Sequence, residues 1–120
     1  MRDFSKTYEI WLYSQDLREK KKLEQYLNDK LAEVWRAHDP EAKILCMDFI
    51  RLAKRSEVPL IVKALRDEDS RVASNALGMI AFLVRAGHTF DVVHLKGELE
   101  NFARLHPDEA AVCDHVAAQL

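Results

Sequence analysis

Between Glu57 and Gly87 the apolar residues recur at intervals of three and four, interrupted once by the polar run Arg66-Asp67-Glu68-Asp69. That spacing puts side chains on one side of an α-helix. One helix is expected to begin near Pro59, whose fixed φ and missing N–H suit a first turn, and to end near Arg66 after turning Leu60, Ala64 and Leu65 inward. A second is expected from Ser70 to Ala86. Asp69 or Ser70 can accept hydrogen bonds from the free amides at its start, and Gly87 can adopt the left-handed conformation that closes it. On a wheel of about 100° per residue, Val72, Ala76, Met79, Ile80 and Leu83 fall together, with Ala73, Leu77 and Val84 on one flank. So wide an apolar arc predicts a helix packed on two sides. The opposite side carries Arg71, Ser74, Gly78, Ala81 and Arg85.

The same scheme recurs twice. Pro40 opens a segment in which Leu45, Phe49, Leu52 and Ala53 stand where Val72, Ala76, Met79 and Ile80 stand, and Pro107 opens another through Val112, Val116 and Leu120. Pro40, Asp67 and Pro107 each precede by five residues the first expected core position, Leu45, Val72 and Val112. This regularity predicts an internal repeat, with Lys22 to Trp35, Pro59 to Leu65 and Asp91 to Leu105 as the first helices of three hairpins. The expected units are 22–55, 57–87 and 91–120 of a single helical-repeat domain, behind an N-terminal cap at 1–21. In that cap Phe4, Tyr8, Trp11 and Leu12 form a helical stripe. Tyr8 to Tyr13 also has strong β propensity, but a lone strand would lack a partner, and Asp16-x-x-Glu19 reads as a capping box that starts a new helix.

The stretch Val58-Pro59-Leu60 to Ile80, with Asp67-x-Asp69-x-x-Val72 followed by Ala76 and Ile80, resembles a HEAT or HEAT-like repeat of the armadillo type. Ala73 departs from the family, which usually has an arginine there. The resemblance implies an all-α fold, a short α-solenoid of two to three HEAT-like hairpins with an N-terminal capping helix. It also implies a non-catalytic protein-binding module: a small adaptor, a regulatory subunit, or an inhibitor such as an immunity protein that plugs a toxin. A single helical bundle would bury nearly the same residues.

Composition supports helices. The 120 residues include only three Gly and three Pro, and 48% are hydrophobic. No run approaches the ~20 apolar residues that span a bilayer, and Met1 to Lys6 form no hydrophobic signal segment, so a cytoplasmic protein without membrane contact is expected. Cys46 and Cys113 fall on apolar faces of different expected helices and are read as reduced core residues.

No catalytic chemistry emerges. Apolar surroundings raise a thiol's pKa, and Asp67, Glu68 and Asp69 cluster in a turn where capping and solvation account for them. Among His88, His94, His106, Cys113 and His115, no pair shares a helix face in metal-ligand spacing. With three glycines there is no phosphate-binding loop. Hence no catalytic residue, metal, cofactor or small-molecule substrate is expected.

The polar sides of the second helices are more informative. Lys43, Met47, Arg51 and Lys54 are expected to face outward in the first hairpin, and Arg71, Ser74 and Arg85 in the second, with Phe82 as a further apolar contact. Stacking would join them into one basic stripe for another protein. From His88 onward six acidic residues face two basic ones, so the charge is polarised along the chain. The alternative is nucleic-acid binding through the same basic face. It is disfavoured by a net charge of −2 and by the balancing of Lys20-Lys21-Lys22 by Glu19 and Glu24.

Overall fold

The computed structural model describes the backbone of residues 2–120 and the side chains of residues 4–54 and 56–120. Among the described residues every regular element is helical: α1 (Arg2–Tyr13), α2 (Leu17–Arg36), α3 (Pro40–Ala53), α4 (Val58–Lys63), α5 (Ser70–Arg85), α6 (Val92–Leu105) and α7 (Ala110–Ala118). Short 3-10 turns occupy Arg55–Glu57, Ala64–Arg66 and Pro107–Glu109. The elements form two compact units, one reaching to Arg55 and the other from Ser56 to Leu120.

In the first unit α1, α2 and α3 pack against one another. Phe4, Tyr8 and Trp11 recur at intervals of four and three, so α1 buries one aromatic stripe, and the competing β propensity of this segment is overridden. Phe49 of α3 meets the edges of Phe4 and Trp11, with ring centres 6.4 and 5.2 Å away. Leu27, Leu31 and Val34 supply the buried side of α2. That helix starts where the capping pattern places it: Asp16 Oδ1 accepts from the amides of Arg18 and Glu19. Asp39 caps α3 in the same way, immediately before Pro40. His38, in the connecting turn, has φ of 56°, a left-handed conformation that a side chain adopts at some cost.

The rotation of α3 differs from expectation. Ala42, Cys46, Phe49 and Ile50 are its buried stripe, while Leu45 is half-buried and Leu52 is exposed. The helix is turned by about one residue, because Ile44 to Ile50 is apolar on nearly all sides and a wheel drawn on it has no sharp maximum. Asp48, on a neighbouring side, accepts from the Tyr8 hydroxyl and, at 2.8 Å, from Arg51 Nη2. Burial and then the Asp48 carboxylate push the Tyr8 hydroxyl well above its ordinary pKa.

In the second unit α5 is central, packing against α4, the following 3-10 turn and α7. Val72, Ala73, Ala76, Leu77, Ile80 and Leu83 are all buried, as its wide apolar arc predicts, while Met79 and Val84 of the same expected arc are half-buried. Asp69 caps it by accepting from the Arg71 amide at 2.9 Å. At its other end Gly87, with φ of 84°, lets its own amide reach Val84 O at 3.1 Å and the His88 amide reach Leu83 O at 3.0 Å. These two bonds satisfy carbonyls that the helix end leaves open, the closure expected of a glycine at this position.

α6 buries Leu95, Glu98, Leu99 and Phe102. Glu98 is 9% exposed, and its carboxylate takes a two-pronged bond from Arg66, Nε at 2.8 Å and Nη2 at 3.1 Å. In α7 the buried residues are Cys113 and Val116. Val112, expected in the core, is 46% exposed. The 3-10 turn at Pro107–Glu109 delays the α-helix to Ala110 and shifts the rotational phase of α7. Of Leu45, Val72 and Val112, only Val72 is buried, so their common distance from a turn anchor does not mark equivalent sites.

Both cysteines are free and buried. Desolvation pushes the Cys46 thiol up to about 12. The Cys113 thiol is also raised, first by burial and then by the carboxylates of Glu109 and Asp114. Since only the thiolate attacks, neither cysteine should react with a thiol-specific disulfide reagent at neutral pH in the native protein, and both should react in denaturant. Labelling of either at the rate of an exposed thiol would contradict this burial.

Candidate functional site

Of the eight residues expected to contact a partner, the structure keeps three exposed on one helix. Arg71, Phe82 and Arg85 lie on the outward side of α5, with Phe82 46% exposed. At about 100° per residue they share, with Ser74 and Gly78, an arc of roughly 80°, and the face runs for about 21 Å from Arg71 to Arg85. Arg71 reaches back to its own cap, Nη2 lying 3.3 Å from Asp69 Oδ2, yet its side chain remains 63% exposed. The hydrogen bond from the Arg71 side chain is the first cause holding the Asp69 carboxyl below its ordinary range. Arg85 sits in the last turn of α5, where the helix dipole favours a cation.

Ser74 shares the arc but is half-buried and committed within the unit, its Oγ donating to Glu109 Oε2 at 2.8 Å. It ties α5 to the turn before α7 and is not an outward contact.

The four α3 residues require larger corrections. Lys43 is only 7% exposed, with Nζ 5.5 Å from the centre of the Trp35 ring. Its alkyl stem can bury while the ammonium finds the electron-rich face of the indole. Met47 is completely buried. Arg51 and Lys54 are half-buried, and the Arg51 guanidinium is taken up by Asp48. Because α3 is rotated relative to the expected register, it does not present these four residues as an open basic row.

Gly78 lies near the middle of the α5 arc, exposed and inside a continuous helix. A Cβ built there meets nothing within 4 Å, so the fold itself does not require glycine. Interior helical glycine costs about 0.5–1 kcal/mol relative to alanine. Gly78→Ala is therefore expected to raise unfolding stability by about that amount in a urea titration. Unchanged or reduced stability would reveal a constraint within the chain.

A second surface is not legible as a site in the sequence. α6 and α7 leave between them an open groove of about 480 Å³, floored by Leu99, Ala103, Cys113 and Ala117. The one signal for it is the small size of Ala103 and Ala117, which reads equally well as ordinary helix composition.

Among the described residues no group of three or more His, Cys, Asp or Glu is placed to hold a metal ion, and no helix is long and apolar enough to cross a membrane. Comparison with protein-family models, with curated proteins and with solved structures finds no match. The architecture is thus an all-α chain of two helical units whose α5 presents two arginines and a phenylalanine outward.

Proposed function

We propose that the chain is a non-catalytic protein-binding module of HEAT-like helical hairpins, and that it engages an acidic surface of a partner through the outward face of α5. The observation that carries this reading is the combination on one arc of Arg71, Phe82 and Arg85 with an exposed Gly78 between them. Arginine pairs with carboxylates through a planar fork, and an aromatic beside it supplies apolar area, a combination enriched where binding energy concentrates. Glycine in the middle of the face lets another backbone or a large side chain approach closely, which gives a use to a residue that weakens the helix. A small adaptor, a regulatory subunit or an inhibitor of the immunity-protein kind would use such a face.

The test is affinity capture with the full chain from nuclease-treated cell extract. One stoichiometric protein should be recovered. Arg71→Glu with Arg85→Glu should reduce its recovery by about tenfold or more, with the helical circular dichroism retained. Undiminished recovery by the double variant would remove α5 as the contact. Loss of recovery after nuclease treatment alone would favour the nucleic-acid alternative.

A further inference from the structure

The groove between α6 and α7 lies wholly within the second unit and is separate from Arg71, Phe82 and Arg85 of α5. On α6, Lys96, Leu99 and Ala103 occur at intervals of three and four and form one wall, and Val92, itself exposed, continues the stripe a turn earlier. Cys113 and Ala117, four residues apart on α7, form the other. The apolar lining is made largely of small side chains, and the trough lies open between two helices whose backbones are already hydrogen-bonded internally.

That geometry selects the type of occupant. No strand edge is offered, so an extended peptide would gain no main-chain pairing. The trough is open along one side, whereas small-molecule sites typically enclose about 70–90% of their ligand. A third helix laid along the α6–α7 seam would place its large side chains over Ala103 and Ala117 at ordinary interhelical distance.

Charge selects its sign. Glu100 and Asp114 stand on the groove against one cation, Lys96. The surrounding stretch from His88 to Leu120 holds six acidic residues and two basic ones. Among the others, Glu98 is neutralised by Arg66, Glu109 receives Ser74, and Asp91 caps α6 through the His94 amide. Arg104, the remaining cation, is turned to Asn101. Glu100 and Asp114 therefore leave the groove with an excess of negative charge. The upward push of Glu109 and Asp114 on the Cys113 thiol, additional to that of burial, has the same sign.

We propose that the α6–α7 groove docks a basic amphipathic helix of another protein, with its apolar side chains on Ala103 and Ala117 and its lysines or arginines reaching Glu100 and Asp114. Lys96, toward the N-terminal end of α6, sets the direction of the incoming helix by favouring an acidic residue there.

A synthetic peptide of leucine and lysine, about four helical turns long with leucine on one face, is the probe, and its counterpart with glutamate for every lysine is the control. In an amide chemical-shift titration of the full chain, the lysine peptide should bind saturably. The largest shifts should fall on residues around Leu99, Ala103 and Ala117, and the glutamate peptide should bind at least about tenfold more weakly. Ala103→Trp should fill the trough and weaken lysine-peptide binding by about tenfold or more, with the helical signal unchanged. Glu100→Lys with Asp114→Lys alters only the rim and should give a similar loss, so the question stays decidable if the tryptophan disturbs folding. No saturable binding, equal binding of both peptides, shifts centred on α5 or in the first unit, or full binding by the rim variant would each overturn the proposal. The α5 reading is untouched by these outcomes, because Arg71→Glu with Arg85→Glu leaves the groove intact.

Discussion

Phe49→Ala is expected to destabilise the first unit by about 3–5 kcal/mol, a large share of the total stability of a small domain. Phe49 has no solvent exposure, and its ring meets Phe4 and Trp11 edge-on. Its removal costs both transfer energy and the cavity left between α1 and α3, since two rigid aromatic neighbours cannot collapse into the space. Urea unfolding followed by circular dichroism gives the loss directly. A change below about 1 kcal/mol would mean that the aromatic cluster is not the packed centre of this unit.

Glu98→Lys should have a comparably severe effect on the second unit. The substitution places an ammonium where the carboxylate is 9% exposed and sets it against Arg66. Arg66 itself is well exposed, so attraction across the native pair is screened by water. The damage comes from burying an uncompensated charge, which is far costlier than losing a surface ion pair. Hydrogen exchange at the amides of α6 should lose most of its protection. Glu98→Gln, still able to accept from Arg66, should lose much less, and Arg66→Glu combined with Glu98→Lys should recover part of the stability in a double-mutant cycle. Equal stability of the lysine variant and the native chain would show that Glu98 is not held inside.

Elements with strong punctuation are the most legible. α5 combines an aspartate cap, a broad apolar arc and a terminal glycine, and its start, buried side and closure all derive from those residues. α2 is announced by Asp16 and runs further than its apolar residues alone indicate, from Leu17 to Arg36. Rotational phase is harder to read. In α3 apolar residues surround the axis, so the choice between Leu45 and Cys46 as the inward position depends on what α1 and α2 offer, which local spacing does not contain. In α7 the same ambiguity between Val112 and Cys113 is decided by the 3-10 turn before it. Errors of phase carry straight into site assignment: an inward Leu45 places Lys43 and Met47 outward, whereas both are buried. On α5, where the apolar arc fixes the phase, Arg71, Phe82 and Arg85 are exposed as expected and Ser74 is diverted to Glu109. The α6–α7 groove depends on two helices meeting through small side chains, a pairwise property that no single helix wheel displays.

Both tryptophans and all three tyrosines of the chain, Tyr8, Trp11, Tyr13, Tyr26 and Trp35, precede Arg36. The hydrophobic centre that α1 builds from such residues therefore also makes the first unit the sole owner of the chain's tryptophan and tyrosine fluorescence, since the second unit holds neither residue. Tryptophan and tyrosine emission originates in residues 1–55, and residues 56–120 contribute none of their own. Introducing Phe90→Trp would give the silent half an optical signal of its own.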